Sequence, residues 1–125
     1  MMALLLDTHV VLWWLEDDAK LDSATKGRLD VESEIFVSSA SVWEVGVKQA
    51  LGKLTSDGSL AEHVRDSGFA VLPISADHAI VASALPLHHR DPFDRILIGQ
   101  ALVDGLTVMT RDRVFDAYDV PVETV

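Results

Sequence analysis

The feature that most constrains this chain is an alternation: short, largely apolar runs rich in β-formers, separated by longer segments with helical periodicity. The runs lie at 3–6 (ALLL), 35–37 (IFV), 69–74 (FAVLPI) and 107–110 (TVMT), with a last short one at 122–124. Short apolar strands joined by helices fit a parallel sheet buried on both faces, because a parallel pair needs a helical crossover and that crossover covers the sheet. Helices are predicted over 10–15, 23–31, 42–51, 60–66, 76–84 and 93–104. Asp22 is the N-cap candidate of the second, and Gly52, Gly68 and Gly105 end the third, fourth and sixth. Pro73 cannot donate to a strand ladder, so 69–74 belongs towards a sheet edge or bends there. Residues 86–92 read as a loop. The expected fold is therefore α/β, a three-layer α/β/α sandwich on a central parallel sheet, with residues 1–125 as one domain.

Composition narrows the function. The chain is 49% hydrophobic, enough for a substantial core, and has no Cys, which excludes disulfides and thiolate metal sites. Twenty Asp and Glu against ten Lys and Arg give a net charge of −10, which argues against broad electrostatic attraction to nucleic acid. It leaves open a nucleic-acid enzyme whose acidic site is neutralised by metal ions. The first residues, MMALLLDTHVVLWWLEDD, show neither a basic n-region nor an apolar run of about 18 residues. The expected location is the cytoplasm, without a membrane span.

Acids recur where parallel sheets bind ligands, at the carboxyl ends of the strands. Asp7 follows ALLL, and Asp112 follows TVMT by one residue; Glu44 and Asp94 sit in early helical turns. A helix leaving a strand starts on the same sheet edge, which brings Glu44 there. Asp94 reaches it if its helix leads into 107–110 as a right-handed crossover. Four carboxylates without a soft ligand suit Mg²⁺ or Mn²⁺ rather than zinc. A second reading explains the same acids as helix caps: Ser41 with Glu44 as a capping box, Asp91 with Pro92 as N-cap and N1, and Asp112 as the cap of a last helix. Pattern alone leaves both readings standing.

Four runs together carry a resemblance: LLLDTHVVLWWL (4–15), VSSASVWEVGVKQALGKL (37–54), LPLHHRDPFDRILIGQAL (85–102) and LTVMTRD (106–112). In order and spacing they resemble the signature blocks of PIN-domain proteins of the VapC toxin type. The resemblance implies a small α/β/α sandwich with four acids converging in a pocket, namely Asp7, Glu44, Asp94 and Asp112. It implies a Mg²⁺- or Mn²⁺-dependent endoribonuclease that hydrolyses RNA, a cognate antitoxin that blocks the pocket with basic residues, and a homodimer. Thr8 matches the small hydroxyl residue after the first acid. Asp91 rivals Asp94 for the third position, and Asp94 is preferred because it lies seven residues before Ala101, as the family pattern has it. Asp116 is an outer candidate near Asp112.

Arg95 and Arg111 flank two of the acids, where they would balance charge, contact substrate backbone or form surface ion pairs of small value. His88, His89 and Arg90 sit beside Asp94 in a loop that either meets an RNA phosphate or is simply solvated. His9 is not required by the family pattern as a ligand, and Trp13 and Trp14 read as core. Two alternatives remain: a PIN fold that only binds a partner, and a receiver-like signalling domain. The second lacks support, since Asp7 stands alone after its strand and the only Lys residues are 20, 26, 48 and 53.

Overall fold

The computed structural model describes residues 3–55 and 58–125. Five strands, β1 (Leu4–Leu6), β2 (Ile35–Ser38), β3 (Ala70–Leu72), β4 (Thr107–Thr110) and β5 (Val122–Thr124), form one sheet in the order β3-β2-β1-β4-β5. Every pairing is parallel. Six helices connect them: α1 (Thr8–Leu15), α2 (Ser23–Val31), α3 (Ser39–Ala50), α4 (Leu60–Asp66), α5 (Ala76–Ala84) and α6 (Pro92–Asp104). A 3-10 helix, Arg113–Ala117, joins β4 to β5. The last helix that the capping reading of Asp112 anticipated is thus this single short turn, with Asp112 at its N-cap.

Alternation along β1 builds two cores. Leu4 and Leu6 face one side with Val10, Val11, Leu29, Val45 and Val64. Leu5 faces the other with Leu97, Ile98, Val108 and Phe115. All three β1 leucines are fully buried, each contributing roughly 1.5–3 kcal/mol over an exposed position. The helices α1 to α4 supply the first core and α6 the second, with α5 packed on α6. The three-layer expectation holds.

Element boundaries differ from the sequence reading in ways that matter for the site. Helix α3 begins at Ser39, straight off β2, because the hydroxyl of Ser38 accepts from the Ala40 amide at 2.9 Å. Ser41 therefore lies inside the helix, and the expected capping box with Glu44 does not form. The edge strand β3 is only three residues long and stops before Pro73. Asp22 and Asp91 do cap α2 and α6, and Gly105, at φ 69°, ends α6 in the left-handed region. Helices α5 and α6 touch nearly backbone to backbone: a Cβ on Gly99 would come within 2.8 Å of the His78 carbonyl oxygen and 3.0 Å of Ala82 Cβ.

The strand order fixes where a ligand can enter. From β1 the chain moves through α1 and α2 to β2; after β3 it returns across the sheet to β4 on the other side of β1. The carboxyl ends of β1 and β4 therefore flank the topological switch point, where the chain departs toward opposite faces and leaves a crevice. Asp7, His9, Trp13, Arg111 and Asp112 line that crevice.

Candidate functional site

Asp7 stands where β1 becomes α1, in extended conformation at the N-cap, yet its side chain makes no capping hydrogen bond. It is only 5% exposed, and its carboxylate instead accepts from the Thr110 hydroxyl at 2.7 Å. The same Thr110 oxygen accepts from the Asp112 amide at 3.0 Å, so one residue at the end of β4 organises two acids. Burial pushes the Asp7 carboxyl up; the bond from Thr110 opposes this, and the charge of Glu44 adds to it.

Glu44 is carried on the second turn of α3. Its start is tied to α1 by a buried 2.7 Å hydrogen bond between the hydroxyls of Thr8 and Ser41. Thr8 thus acts by clamping two helices at the crevice. Lys48, one turn on, pairs with Glu44 at 3.3 Å.

Asp94 lies in the first turn of α6, one residue beyond Phe93, whose amide donates to the Asp91 cap at 2.9 Å. Capping therefore occupies Asp91, while Asp94 meets His89. Burial raises the Asp94 carboxyl to about 6; a bond to His89 opposes the rise, while the charges of Asp7 and Asp91 add to it. His89 Nε2 lies 2.6 Å from Asp94 Oδ2. One ligand atom from each of His89, Asp94 and Asp112 falls within 4.8 Å of the others. Asp112 itself caps the 3-10 helix, with Oδ1 accepting from the Val114 amide at 3.0 Å. The charge of Glu44 thus raises the Asp7 carboxyl, that of Asp7 raises Asp94, and Asp112 lies beside Asp94.

The arginines differ from expectation. Arg95 directs its guanidinium at four main-chain carbonyls, those of Ala82, Leu85, Pro86 and His89, at 2.9–3.2 Å. It organises the loop between α5 and α6 and does not balance the acids. Arg111 bonds the carbonyls of Val125 and Lys20 and lies 4.6 Å over the Trp13 ring. Asp116 is exposed on the 3-10 helix, and no described hydrogen bond joins it to the cluster. Trp14 packs on Phe69 in the first core, as expected. His9 is exposed at the crevice mouth, 6.1 Å from Trp13 ring to ring.

Sequence reasoning missed Thr110 and Tyr118, gave Ser41 a capping role in place of its bond to Thr8, and gave His89 no specific role. A hydroxyl two residues before Asp112 is a recognisable turn signal, since such side chains accept from the amide two positions on. Nothing in the sequence pairs Tyr118 with the loop it holds 32 residues away.

Residues 4–121 match the PIN domain family. The chain belongs to the PIN-domain family. This sets aside the receiver-like alternative. The PIN chain is 31% identical over 121 residues to Ribonuclease VapC22 of Mycobacterium tuberculosis, across 90% of this chain and 89% of that protein. Its fold also matches the DNA-bound VapBC structure from Salmonella typhimurium, with a TM-score of 0.71 at 19% identity, covering 99% of this chain and 98% of that one. A toxin–antitoxin complex from Klebsiella pneumoniae gives a TM-score of 0.66 at 23% identity, covering 98% and 97%. At these identities the structures show a shared PIN fold. No helix among the described residues is long and apolar enough to cross a membrane.

Proposed function

We propose that the protein is a divalent-cation-dependent endoribonuclease and the toxin of a toxin–antitoxin pair. One observation carries the reading: Asp7 and Asp112 line the crevice at the switch point, Asp94 lies within ligand distance of Asp112, and among the described residues no Lys or Arg forms an ion pair with Asp7, Asp94 or Asp112. The two arginines nearest in sequence are turned onto carbonyls, and Lys48 serves only Glu44. Such a concentration of oxygen ligands, left without a protein cation, fits Mg²⁺ or Mn²⁺. The relative named as a ribonuclease supports the reaction class.

Asp7, Glu44, Asp94 and Asp112 would hold the ion, directly or through water. A bound Mg²⁺ or Mn²⁺ supplies an activated water and stabilises negative charge on the phosphoryl group. Thr110 holds Asp7 in one orientation, Lys48 orients Glu44, and the Thr8–Ser41 clamp keeps α3 against α1. Asp94 Oδ2 and His89 Nε2 lie 2.6 Å apart, a contact that cation binding would rearrange. With a net charge of −10, RNA is held locally at the ion and a few cations rather than by a basic surface.

The solved relatives named as toxin–antitoxin complexes support a cognate antitoxin as partner. An exposed apolar stripe along α3 and its C-cap, Trp43, Val47 and Leu51 at four-residue spacing, supports a homodimer. Expression of the wild-type protein in a bacterial host should arrest growth, and Asp7→Asn, expressed to the same level, should not. Arrest that survives loss of Asp7 would detach toxicity from this site. A folded wild type that neither arrests growth nor cuts RNA would favour a PIN fold that only binds a partner.

A further inference from the structure

We propose that His89 is a nitrogen ligand of the cation held at this site, which makes the centre a mixed imidazole–carboxylate one that favours Mn²⁺ over Mg²⁺. The proposal rests on the metal-dependent reading above and extends it to a residue outside the four acids.

Three features point to it. First, ligand atoms of His89, Asp94 and Asp112 lie within 4.8 Å of one another. Metal–ligand bonds of about 2.0–2.3 Å place ligand atoms roughly 3–4.5 Å apart around one ion, so the cluster has the right size once His89 Nε2 and Asp94 Oδ2, hydrogen-bonded at 2.6 Å, part to admit it. Second, the imidazole is held there by its backbone. The His89 amide donates to the Tyr118 hydroxyl at 2.8 Å, and its carbonyl accepts from Arg95 at 3.2 Å. Tyr118 also donates to the Pro86 carbonyl at 2.8 Å, and Arg95 bonds three further carbonyls of the same segment. A merely solvated loop residue does not require anchoring at both its N–H and its C=O from two different elements. Third, the neighbouring His88 is directed away, with its ring edge-on to Tyr118 at 5.2 Å. The loop thus sorts its two histidines, one against Tyr118 and one into the acid cluster.

Imidazole nitrogen is a better ligand for transition metals than for Mg²⁺, which prefers oxygen and retains its waters. An all-carboxylate centre discriminates less between the two ions, so His89 would strengthen the preference for Mn²⁺.

The test uses the purified full chain stripped of metal, titrated calorimetrically with MnCl₂ and separately with MgCl₂. Pulsed electron paramagnetic resonance of the Mn²⁺ complex reads out imidazole nitrogen bound to the ion. Three variants accompany the wild type: His89→Ala, His89→Gln and Asp94→Asn. Gln keeps a hydrogen-bond donor for Asp94 but offers no imidazole, and it carries the test if the Ala variant fails to fold. The wild type should show the nitrogen signal and bind Mn²⁺ at least about tenfold more tightly than Mg²⁺. Both His89 variants should lose the signal and weaken Mn²⁺ binding by about tenfold or more, with Mg²⁺ binding changed far less. Asp94→Asn should weaken both ions. A nitrogen signal that persists in His89→Ala, or Mn²⁺ affinity fully restored by Gln, would overturn the proposal and leave His89 as a hydrogen-bond partner of Asp94. A wild type that binds neither ion would instead bring down the metal-dependent reading itself.

Discussion

Asp94→Asn should cut RNA orders of magnitude more slowly than wild type, and its metal-free form should melt at a higher temperature. The two effects have one cause. Asp94 is half-buried near Asp7 and Asp91, and its carboxyl is pushed from the usual 3.8 to about 6. A group whose pKa is raised by folding binds its proton more tightly in the folded state. The stability it contributes is therefore fully present below about pH 4 and is lost as pH climbs through about 6. Taken whole, that rise corresponds to about 3 kcal/mol; with partial solvent access and salt screening, roughly 1–2 kcal/mol is expected near pH 7. Asn removes the charge and with it this loss. Its apo melting temperature should exceed that of wild type by about 4–8 °C near pH 7, and the difference should vanish near pH 4. Mg²⁺ or Mn²⁺ should raise the wild-type melting temperature and move the variant much less, since a ligand stabilises only the state that binds it. A capping role predicts the opposite sign, because an acid at a helix start loses favourable interaction with the dipole when neutralised. If Asp91→Asn abolished cleavage while Asp94→Asn spared it, the third acid would be Asp91.

The second large effect is expected at Arg95, a residue that sequence reasoning placed among the charge-balancing or substrate-binding cations. Its four carbonyl partners lie in the segment that ends α5 and carries His89 towards Asp94. Arg95→Ala leaves those carbonyls without their donor, and hydrogen bonds to a charged group are worth about 1.5–3 kcal/mol each when buried. With the site partly exposed, a net loss of about 2–4 kcal/mol is expected, or roughly 8–16 °C in melting temperature. Arg95→Lys should recover little, because an ammonium lacks the planar fork that reaches four acceptors. An unchanged melting temperature in Arg95→Ala, with only KM for RNA raised, would return Arg95 to the substrate-binding role.

How far the sequence spoke depended on whether the physics was local. The apolar runs at 3–6, 35–37 and 107–110 announced buried parallel strands, since burial on both faces leaves a continuous hydrophobic signature. Pro73 placed β3 at the edge for a local reason, its missing donor. The caps Asp22 and Asp91 were legible because capping is decided within three residues. The start of α3 was misplaced because two serines, Ser38 and Ser41, offer equivalent caps in sequence. Only the exit of the chain from β2 decides for Ser38. At the site, the acids followed from strand ends and family likeness. The groups that hold them did not: Thr110 reaches Asp7 across 103 residues of chain, and Ser41 reaches Thr8 across 33. Such pairings are products of the strand order, which short-range patterns do not encode. Arg95 was misread for the same reason, since a cation beside an acid in sequence need not face it in space.

The central claim, that four acids at the switch point bind a divalent cation and thereby cut RNA, is tested most directly by cleavage under metal control. Purified wild-type protein would be stripped with EDTA and incubated with a labelled RNA, then supplied with Mg²⁺, Mn²⁺ or Ca²⁺ in turn. Cleavage should stop in EDTA, return with Mg²⁺ or Mn²⁺, and recover poorly with Ca²⁺, whose longer bonds and variable ligand number orient water and phosphate less well. Robust cleavage in excess EDTA would contradict the account.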